Sequence, residues 1–436
     1  MMHENPIHDL HRVTVGPPGA DVAGFTGAAV QLAVDAVALR GGGTVVLGPG
    51  TYELIDAVRL APDVALVGEG KVVLTRSDEV VVSPLAVDAD CGQLEVTPIT
   101  AATFRAGMGL CLYDQDRGWA FVHLPLRVRA VDGDRLLLEE MIPDLDRAAT
   151  RGGLVANLFP LVLLREAHRA RVENLELDGK ARDTGGPLDE VRSAGLYAYR
   201  SDDVVVRGVR AHHHLGDGIC IAHGSLRAVV EECETFDNTH HGIHPGSHSA
   251  AAVVRRCRIH HNGSDGLYVC WGVVGGVFEE NEIHHNGARL WRSGLSIGHK
   301  DVDCLIVRNR IYENCKYGIC VREKTEANGA HRGTYRDNLI ENNGQDPAAM
   351  PELCHRFPAR ELVSVGVSVL GVTHDLRLEG NLIRETRPAG RQYQRHAVYL
   401  GPGTRRIVLV DNRLEEHPDR PVVDESGAGD HTLPAR

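Results

Sequence analysis

The chain of 436 residues has no apolar run near the roughly twenty residues that a membrane-spanning helix needs. Its first residues, MMHENPIHDLHRV, have neither the basic start nor the apolar stretch of a secretory signal peptide. There is no basic excess, since 47 Lys and Arg face 59 Asp and Glu for a net charge of −12. The ten cysteines form no obvious disulfide framework. These absences predict a cytoplasmic protein that neither spans a membrane nor binds nucleic acid.

What the chain does contain is a repeat of a glycine-led apolar strand and an asparagine-led turn. The glycines follow one another after 24 or 28 residues, at Gly218, Gly242, Gly266, Gly294 and Gly318. An asparagine stands twenty residues after each of the first four, at Asn238, Asn262, Asn286 and Asn314. Apolar residues fill every second position after the glycines, which is typical of strands. The sequence therefore predicts an all-β solenoid of stacked coils, with an internal ladder of asparagine amides.

These repeats resemble those of right-handed parallel β-helix proteins in the pectate lyase-like superfamily. Residues 24–54 and 64–70 are also similar to the capping helix, Gly-rich turn and first coil that open many members. An apolar stripe suits a helix that covers the end of a solenoid, and it consists of Ala28, Val30, Leu32, Ala33, Val37 and Leu39. The resemblance implies a right-handed parallel β-helix with an N-terminal capping helix. It implies little about function, because the superfamily holds lyases, hydrolases, esterases, epimerases and viral adhesins.

The pattern divides the chain into five segments. We predict an N-terminal arm at 1–23, the cap helix and first coils at 24–80, a small inserted β subdomain at 81–160, the main β-helix at 161–416 and a polar, loosely ordered tail at 417–436. The inserted subdomain is placed where the coil rhythm breaks. There, alternating Leu126 and Val128 face alternating Leu136 and Leu138 across an Asp-Gly-Asp turn, which predicts a hairpin.

Three insertions interrupt the coils after Gly266. They fall at 289–292, 325–333 and 344–365, so the coil that begins at Gly318 is unusually long. Insertions in solenoids form loops beside one face, and that face often binds ligands. We therefore expect these loops to wall a groove whose floor is the face of the glycine-led strands.

Alternation along the strands predicts which side chains line that floor. If the residue after each glycine points into the core, the next one points out, which gives Cys220, His244, Tyr268, Ser296 and Cys320. Imidazoles, a phenol and carboxylates on one face favour proton transfer and sugar stacking. The predicted catalytic residues are His241, His244, Tyr268, Asp217 and Asp265. The predicted substrate-binding residues are His223, Trp271, Trp291, Arg292, His299, Arg322, Glu323 and Lys324.

A second set of histidines stands just before the asparagine positions. It comprises His212, His213, His260, His261, His284 and His285, and it should stack in two columns with Phe236, Asp237, Tyr312 and Glu313. Imidazoles in register can bind a transition metal. The spacing of these histidines, however, is not that of a structural zinc site. Stacked histidines next to an asparagine turn are also common in repeats of this kind. The sequence therefore assigns no metal ligand. The cofactor stays unknown, with Ca²⁺ suggested only by the family resemblance, and the oligomeric state stays open.

One short stretch of the chain resembles a functional motif of particular β-helix enzymes. Residues 240–249, HHGIHPGSHS, are similar to the YGFDPH-type stretch of mannuronan C5-epimerases and related alginate lyases. Gly242 and Pro245 match that pattern, whereas His241, His244 and Gly246 stand where the family has its tyrosine, aspartate and histidine. The resemblance to polygalacturonase-type hydrolases is limited to Asp217, the His241-Gly242 pair and Asp265.

Three functions remain open at this level. The first is a carbohydrate-active enzyme that acts on an oligosaccharide or glycosylated substrate by β-elimination or epimerisation, with His241 or His244 as base, Tyr268 as acid, and Arg322 or Lys324 holding a carboxylate. The second is an inverting glycoside hydrolase that uses Asp217 and Asp265. The third is a non-catalytic sugar-binding or structural β-helix.

Overall fold

The computed structural model describes residues 11–77, 79–114, 120–121, 124–143, 149–180, 191–358 and 362–433. The regular secondary structure of the described chain is almost entirely β-strand, with α-helices at Gly27–Ala38 and Pro351–Cys354. Short 3₁₀ turns lie at Ala101–Thr103, Ala149–Arg151, Glu326–Asn328 and Pro347–Ala349. The chain forms two compact units: a first unit of Met1–Tyr199 with Val209–Ile219, and a second unit of Arg200–Gly208 with Cys220–Arg436. Within the described residues, no helix is both long and apolar enough to cross a membrane.

The helix Gly27–Ala38 is the capping helix that the sequence predicts. It begins after Thr26, whose hydroxyl accepts a hydrogen bond from the Ala29 amide at 3.2 Å and so satisfies one of the open N–H groups of the first turn. Its buried face consists of Val30, Ala33, Val34 and Val37. Leu32 and Leu39 of the predicted stripe are instead 60% and 90% exposed. The apolar stripe is thus narrower than the sequence pattern indicates.

Parallel strands build three sheets in the first unit. One sheet contains Arg12–Gly16, Val22–Ala23, Gly43–Leu47, Val64–Gly68 and Arg171–Glu173. Another contains Gly50–Leu54, Val72–Arg76, Glu176–Asp178 and Arg210–His212. The third contains Val58–Leu60, Val162–Arg165 and Val191–Tyr199, with Ala120–Phe121 beside the last. The prediction of an arm over 1–23 is wrong for its described part, because Arg12–Gly16 and Val22–Ala23 pair within a sheet.

The inserted β subdomain is an antiparallel sheet of the first unit. Its strands are Val82–Pro84, Glu95–Val96, Gly109–Asp114, Leu126–Asp132, Arg135–Leu138 and Gly153–Ala156. The predicted hairpin is the pair Leu126–Asp132 and Arg135–Leu138. Its inward residues, Val128, Leu136 and Leu138 among them, share a separate apolar core with Leu110 and Val155. A core of its own explains why this segment departs from the coil rhythm.

In the second unit each coil contributes one strand to each of three parallel sheets. The first sheet contains Val205–Arg207, Val229–Glu231, Val253–Arg255, Val277–Glu279, Leu305–Val307, Thr334–Arg336, Arg377–Glu379 and Val408–Val410. The second contains Glu234–Phe236, Arg258–His260, Glu282–His284, Arg310–Tyr312, Leu339–Glu341, Leu382–Arg384 and Arg413–Glu415. The third contains Ile243–Pro245, Leu267–Cys270, Leu295–Gly298, Ile319–Val321, Ser364–Val369, Gln394–Leu400 and Val422–Asp424. The remaining strand of the described chain, Gly216–Ala222, begins in the first unit and ends in the second.

The strand Val422–Asp424 lies in the segment that the sequence predicts to be a loose tail. It pairs with Gln394–Leu400, and Thr432 forms a further bridge to Val408. The coils therefore extend beyond residue 416, because the short apolar pair Val422 and Val423 suffices for one more strand when a paired edge is available.

Apolar side chains in register fill the interior of the second unit. Ile259, Ile283, Ile311 and Ile340 are partners on successive strands of the second sheet, and each is at most 1% exposed. Burying such a side chain contributes about 1.5–3 kcal/mol. Stacking of like residues from coil to coil therefore supplies most of the cohesion of this unit.

The predicted asparagine ladder is confirmed. The Asn238 amide donates to Asn262 Oδ1 at 2.9 Å, and the chain continues through Asn286, Asn314 and Asn343 to Gln394. Each interior amide also donates to backbone carbonyls, as Asn262 does to Thr235 and His260. A second ladder, which the sequence analysis missed, runs through Asn281, Asn309, Asn338, Asn381 and Asn412. Both ladders satisfy buried backbone groups at turns.

Candidate functional site

The third sheet of the second unit presents the residues that the alternation argument selects. Tyr268 pairs with Ser296, and Ser296 pairs with Cys320. The residues directly before these three, Leu267, Leu295 and Ile319, are fully buried. The inward and outward register along these strands is therefore as the sequence predicts.

The central feature of this face is a stack on the ring of Tyr268. The His241 imidazole lies parallel to that ring at a centroid distance of 4.0 Å and an interplanar angle of 4°. The Arg322 guanidinium lies over the same ring, 4.4 Å from its centroid. His241 belongs to the coil before Tyr268 and Arg322 to a coil after it, so the phenol lies between an imidazole and a cation. His244 meets both His241 and Tyr268 edge to face, at 5.4 and 4.9 Å.

This face is less open than the sequence predicts. His241 and His244 are 2% and 3% exposed, Asp265 is 3% exposed, and Tyr268 is half-buried. The expectation of a solvated outward face is wrong because neighbouring side chains stack on one another instead of extending into water. In this dry setting electrostatic interactions are stronger than in water.

Arg322 is held in place by several hydrogen bonds. It donates to Ser296 Oγ at 2.7 Å, to the Val269 carbonyl at 2.6 Å and to the Gly298 carbonyl at 3.1 Å. Its Nη2 atom is 3.7 Å from Oδ2 of the fully buried Asp301. Its Nε atom is buried and makes no hydrogen bond. The cation is thus fixed beside Tyr268.

Asp265 lies next to the stack. Its Oδ1 accepts a hydrogen bond from the Ser293 amide at 2.9 Å, and its Oδ2 is 3.9 Å from His241 Nδ1. Burial raises the pKa of this carboxyl, and the charge of Arg292 opposes the rise. Burial also raises the pKa of Tyr268 well above its usual range, so the phenol stays protonated at neutral pH. Tyr268 therefore offers a neutral proton donor, and Asp265 offers a carboxyl of raised pKa, beside the imidazole of His241.

A partly exposed aromatic pair lies along the same sheet. Trp271 is 54% exposed and stacks on His299 at 4.6 Å with an interplanar angle of 5°. His299 Nδ1 is 3.1 Å from Cys270 Sγ. Burial, with the charges of Lys324 and Arg322, lowers the pKa of His299 to about 4, so this imidazole is neutral at pH 7. A flat, neutral aromatic surface of this kind suits stacking against a sugar ring.

The other predicted site residues are placed as follows. Arg292 and Glu323 are exposed, His223 and Lys324 are half-buried, and burial with the Arg322 charge lowers the pKa of Lys324. Asp217 is buried and belongs to the first unit.

Trp291 has a different role from the one predicted. It has no exposed surface and packs with Cys315 and Cys354, under Met350, Leu353, Phe357 and Leu362 of the long insertion. A side chain without exposed surface does not reach a substrate, so its assignment as a binding residue is corrected. Trp291 anchors the insertion.

Sequence reasoning missed Ser296 and Asp301 as partners of Arg322. Ser296 occupies one of the outward positions that alternation selects, so the sequence contains a signal that places it on this face. Asp301 lies beyond the strand Leu295–Gly298, where alternation no longer applies, and only the turn that follows brings its carboxylate back to the Gly298 amide at 2.9 Å.

The two histidine columns are also present. His260 stacks on His284 at 4.9 Å and 2°, and His261 stacks on His285 at 4.9 Å and 9°. Tyr312 continues the first column beyond His284 at 4.8 Å. These columns lie on the second sheet, away from the residues of the third sheet described above.

Comparisons with known proteins agree with this architecture. The chain belongs to the family described as right handed beta helix region, whose model matches residues 161–294 and 194–383. No curated protein in the comparison matches the chain. The A-module of mannuronan C-5 epimerase AlgE4 from Azotobacter vinelandii is similar in structure, with a TM-score of 0.58 and 16% identity over 94% of this chain and 95% of that one.

Two further structures show the same fold. The A-module of mannuronan C-5 epimerase AlgE6 from Azotobacter vinelandii has a TM-score of 0.51 and 14% identity over 94% of this chain and 96% of that one. The Dettilon tailspike protein has a TM-score of 0.54 and 12% identity over 90% of this chain and 64% of that one. At such identities the likeness establishes the right-handed parallel β-helix and not the activity.

Proposed function

We propose that the protein is a carbohydrate-active enzyme that removes the proton beside a sugar carboxylate and thereby catalyses β-elimination or epimerisation. The observation that carries the proposal is the stack of His241, Tyr268 and Arg322 on the third sheet. It places a base and a cation each in contact with the ring of one acid.

Each member of the stack has a distinct task. The imidazole of His241, or of His244 beside it, accepts the proton from the carbon next to the carboxylate. The protonated phenol of Tyr268 returns a proton to the opposite side of the carbon or to the leaving oxygen. The Arg322 guanidinium stabilises the negative charge that develops on the carboxylate, and it needs no reorganisation because Ser296 and two carbonyls already hold it.

An anionic oligosaccharide or glycosylated molecule suits the surroundings. Arg292 and Lys324 add positive charge near the stack, and Trp271 offers an exposed ring for the sugar face. The structural likeness to two proteins named as mannuronan C-5 epimerases supports a uronate as the first substrate class to try.

An inverting glycoside hydrolase is the second candidate. Asp265 favours it, because a buried carboxyl with a raised pKa can act as the general acid. Asp217, the other carboxylate that the sequence assigns to this mechanism, belongs to the first unit. The two mechanisms predict opposite rankings of the same variants.

The test is a screen of oligouronides and neutral oligosaccharides that records ultraviolet absorbance for unsaturated products, the proton NMR spectrum for epimerised residues, and reducing ends. On an active substrate, Tyr268→Phe, His241→Gln and His244→Gln should each lower the maximal rate by about 10²–10⁴, the usual worth of general acid–base catalysis. Asp217→Asn and Asp265→Asn should cost much less. Activity loss confined to the aspartates, with a saturated product of inverted configuration, would support the hydrolase instead.

Tyr312→Phe is the matched control for Tyr268→Phe. Tyr312 also stacks on a histidine, His284, and lies under an arginine, Arg310, at 4.3 Å. It differs in lying on the second sheet. Equal losses from both tyrosine variants would assign the effect to structure and not to catalysis. If no sugar is turned over but one binds, the protein is a non-catalytic sugar-binding β-helix.

A further inference from the structure

Three potential metal-ligating side chains meet in the first unit, outside the candidate catalytic site. Asp178 and His212 are direct partners on adjacent parallel strands, Glu176–Asp178 and Arg210–His212. His213 follows with a left-handed backbone, at φ 54°. This conformation turns the His213 ring toward that of its neighbour, which it meets edge to face at 4.9 Å.

The donor atoms of these side chains are close together. The two Nδ1 atoms are 2.7 Å apart, and Asp178 Oδ1 is 3.7 Å from His212 Nδ1. All three donor atoms lie within 4.8 Å of one another. With metal–ligand bonds of about 2.0–2.1 Å, donors at the corners of a tetrahedron are about 3.4 Å apart. The observed separations lie on both sides of this value, so small side-chain rotations bring the donors into place.

A second carboxylate orients the central imidazole. His212 Nε2 donates to Glu176 Oε1 at 3.2 Å, and Arg210 holds the other oxygen of Glu176 at 3.0 Å. A proton on Nε2 leaves the lone pair of a neutral imidazole on Nδ1, which faces His213 and Asp178. Carboxylates that fix a ligating histidine in this way accompany many protein metal sites.

We propose that Asp178, His212 and His213 form a binding site for one divalent transition-metal ion. Two imidazoles and one carboxylate favour zinc, cobalt or nickel over the oxygen-seeking Mg²⁺ and Ca²⁺. His213 is exposed and Asp178 is half-buried, so the ion enters from solvent and water completes its coordination.

The second unit contains a near copy of this arrangement without the third ligand. His260 Nδ1 is 2.8 Å from His261 Nδ1, His260 Nε2 is 3.3 Å from Glu234 Oε1, and His261 also has φ 54°. The residue that pairs with His260 at the position of Asp178 is Phe236, whose ring stacks on His260 at 5.3 Å. The pair His260 and His261 therefore lacks a third ligand, whereas the pair His212 and His213 has the carboxylate of Asp178.

The experiment compares these two places in the full chain. Protein stripped with a chelator is titrated with Co²⁺, and the visible absorption band and equilibrium dialysis report binding. The wild type should bind one tight equivalent. Asp178→Asn and His213→Asn should weaken that binding by at least about tenfold, and His261→Asn should leave it unchanged. Asparagine tolerates the left-handed backbone at both histidine positions, so the two substitutions are matched.

Several outcomes would overturn the proposal. These are the absence of cobalt binding by the wild type, binding by Asp178→Asn equal to that of the wild type, equal losses from His213→Asn and His261→Asn, and displacement of cobalt by millimolar Ca²⁺. If a variant fails to fold, as judged by circular dichroism, the melting temperature of the wild type provides a further test. Zinc, but not magnesium, should raise its melting temperature, because an ion that binds only the folded state stabilises it.

Discussion

At the scale of single residues, Arg322 has a tightly constrained position in the second unit. Its guanidinium bonds to Ser296 and two backbone carbonyls and lies on the Tyr268 ring. A lysine keeps the charge but not the planar fork that makes these bonds simultaneously. Its single ammonium on a flexible stem cannot reach all three acceptors and cover the ring as well.

We therefore expect Arg322→Lys to lower the free energy of unfolding by about 2–3 kcal/mol, since it leaves buried acceptors unsatisfied. The matched control is Arg310→Lys. Arg310 also lies over a tyrosine ring, but its side chain is 52% exposed, so its loss should cost less than about 1 kcal/mol. Urea denaturation of the two variants measures both values, and similar losses would contradict the assigned role of the Arg322 hydrogen bonds.

The sequence predicts the strand register of these residues better than their burial. Alternation along a strand is a local property, so it places Tyr268, Ser296 and Cys320 correctly in register. The burial of His241 and His244 depends on which side chains of other coils cover them. Such coverage is a tertiary property with no local signal, which is also why the burial of Trp291 escaped prediction.

At the scale of structural elements, the two amide ladders differ in how visible they are in the sequence. The first four asparagines of the first ladder recur after 24, 24 and 28 residues. The second begins only at Asn281, because Cys257 and Cys233 take the equivalent positions in earlier coils. Cys257 Sγ lies 3.6 Å from the Val230 carbonyl, as the Asn281 amide lies 2.9 Å from that of Val254. The second ladder therefore ends at these sulfur atoms. The buried thiols of Cys233 and Cys257 thus belong to the same turn pattern as the asparagines.

Breaking either ladder should destabilise the second unit. We expect Asn262→Leu and Asn281→Leu each to lower the free energy of unfolding by about 1–3 kcal/mol, because leucine leaves buried carbonyls unpaired. Asn328→Ala is the control, since the side chain of Asn328 lies outside both ladders and contacts Thr325 Oγ1 at 3.4 Å. Chemical denaturation checks the three variants. A small effect in Asn281→Leu alone would mean that the second ladder is dispensable.

The long insertion is attached more firmly than a mobile groove wall requires. Its helix Pro351–Cys354 and the residues after it cover Trp291. We expect Trp291→Ala to cost about 3–5 kcal/mol, as for other large buried aromatic residues. Replacing residues 347–358 by a short glycine linker should likewise lower the melting temperature. An unchanged melting temperature in the shortened protein would contradict this anchoring role of the insertion.

At the scale of the whole molecule, buried neutral histidines make stability depend on pH. Burial lowers the pKa of His214 in the first unit, and of His284 in the second, to about 3. The ordinary value is 6.5, so the unfolded chain takes up protons below that pH and the folded chain does not. The stability that these groups contribute is present above pH 6.5 and is lost as the pH falls toward 3.

The two histidines should therefore make the melting temperature decline between pH 7 and pH 5, and Asp301, whose pKa burial raises to about 7, acts in the opposite direction. His284→Gln should make that decline shallower, because glutamine takes up no proton in either state. Calorimetry across this pH range provides the measurement. A decline in the variant as steep as in the wild type would show that His284 does not contribute to it.

The amide ladders also give the second unit an electrical direction. From Asn262 to Asn343, each Oδ1 in the first ladder accepts from the preceding coil, both from a side-chain amide and from a backbone N–H, as Asn286 does from Asn262. The amide dipoles therefore align head to tail, and those of the second ladder point the same way. Aligned hydrogen bonds polarise one another. The stack of coils thus carries a small permanent polarity, with its positive pole toward the C-terminal coils, comparable in origin to that of an α-helix but built from side chains.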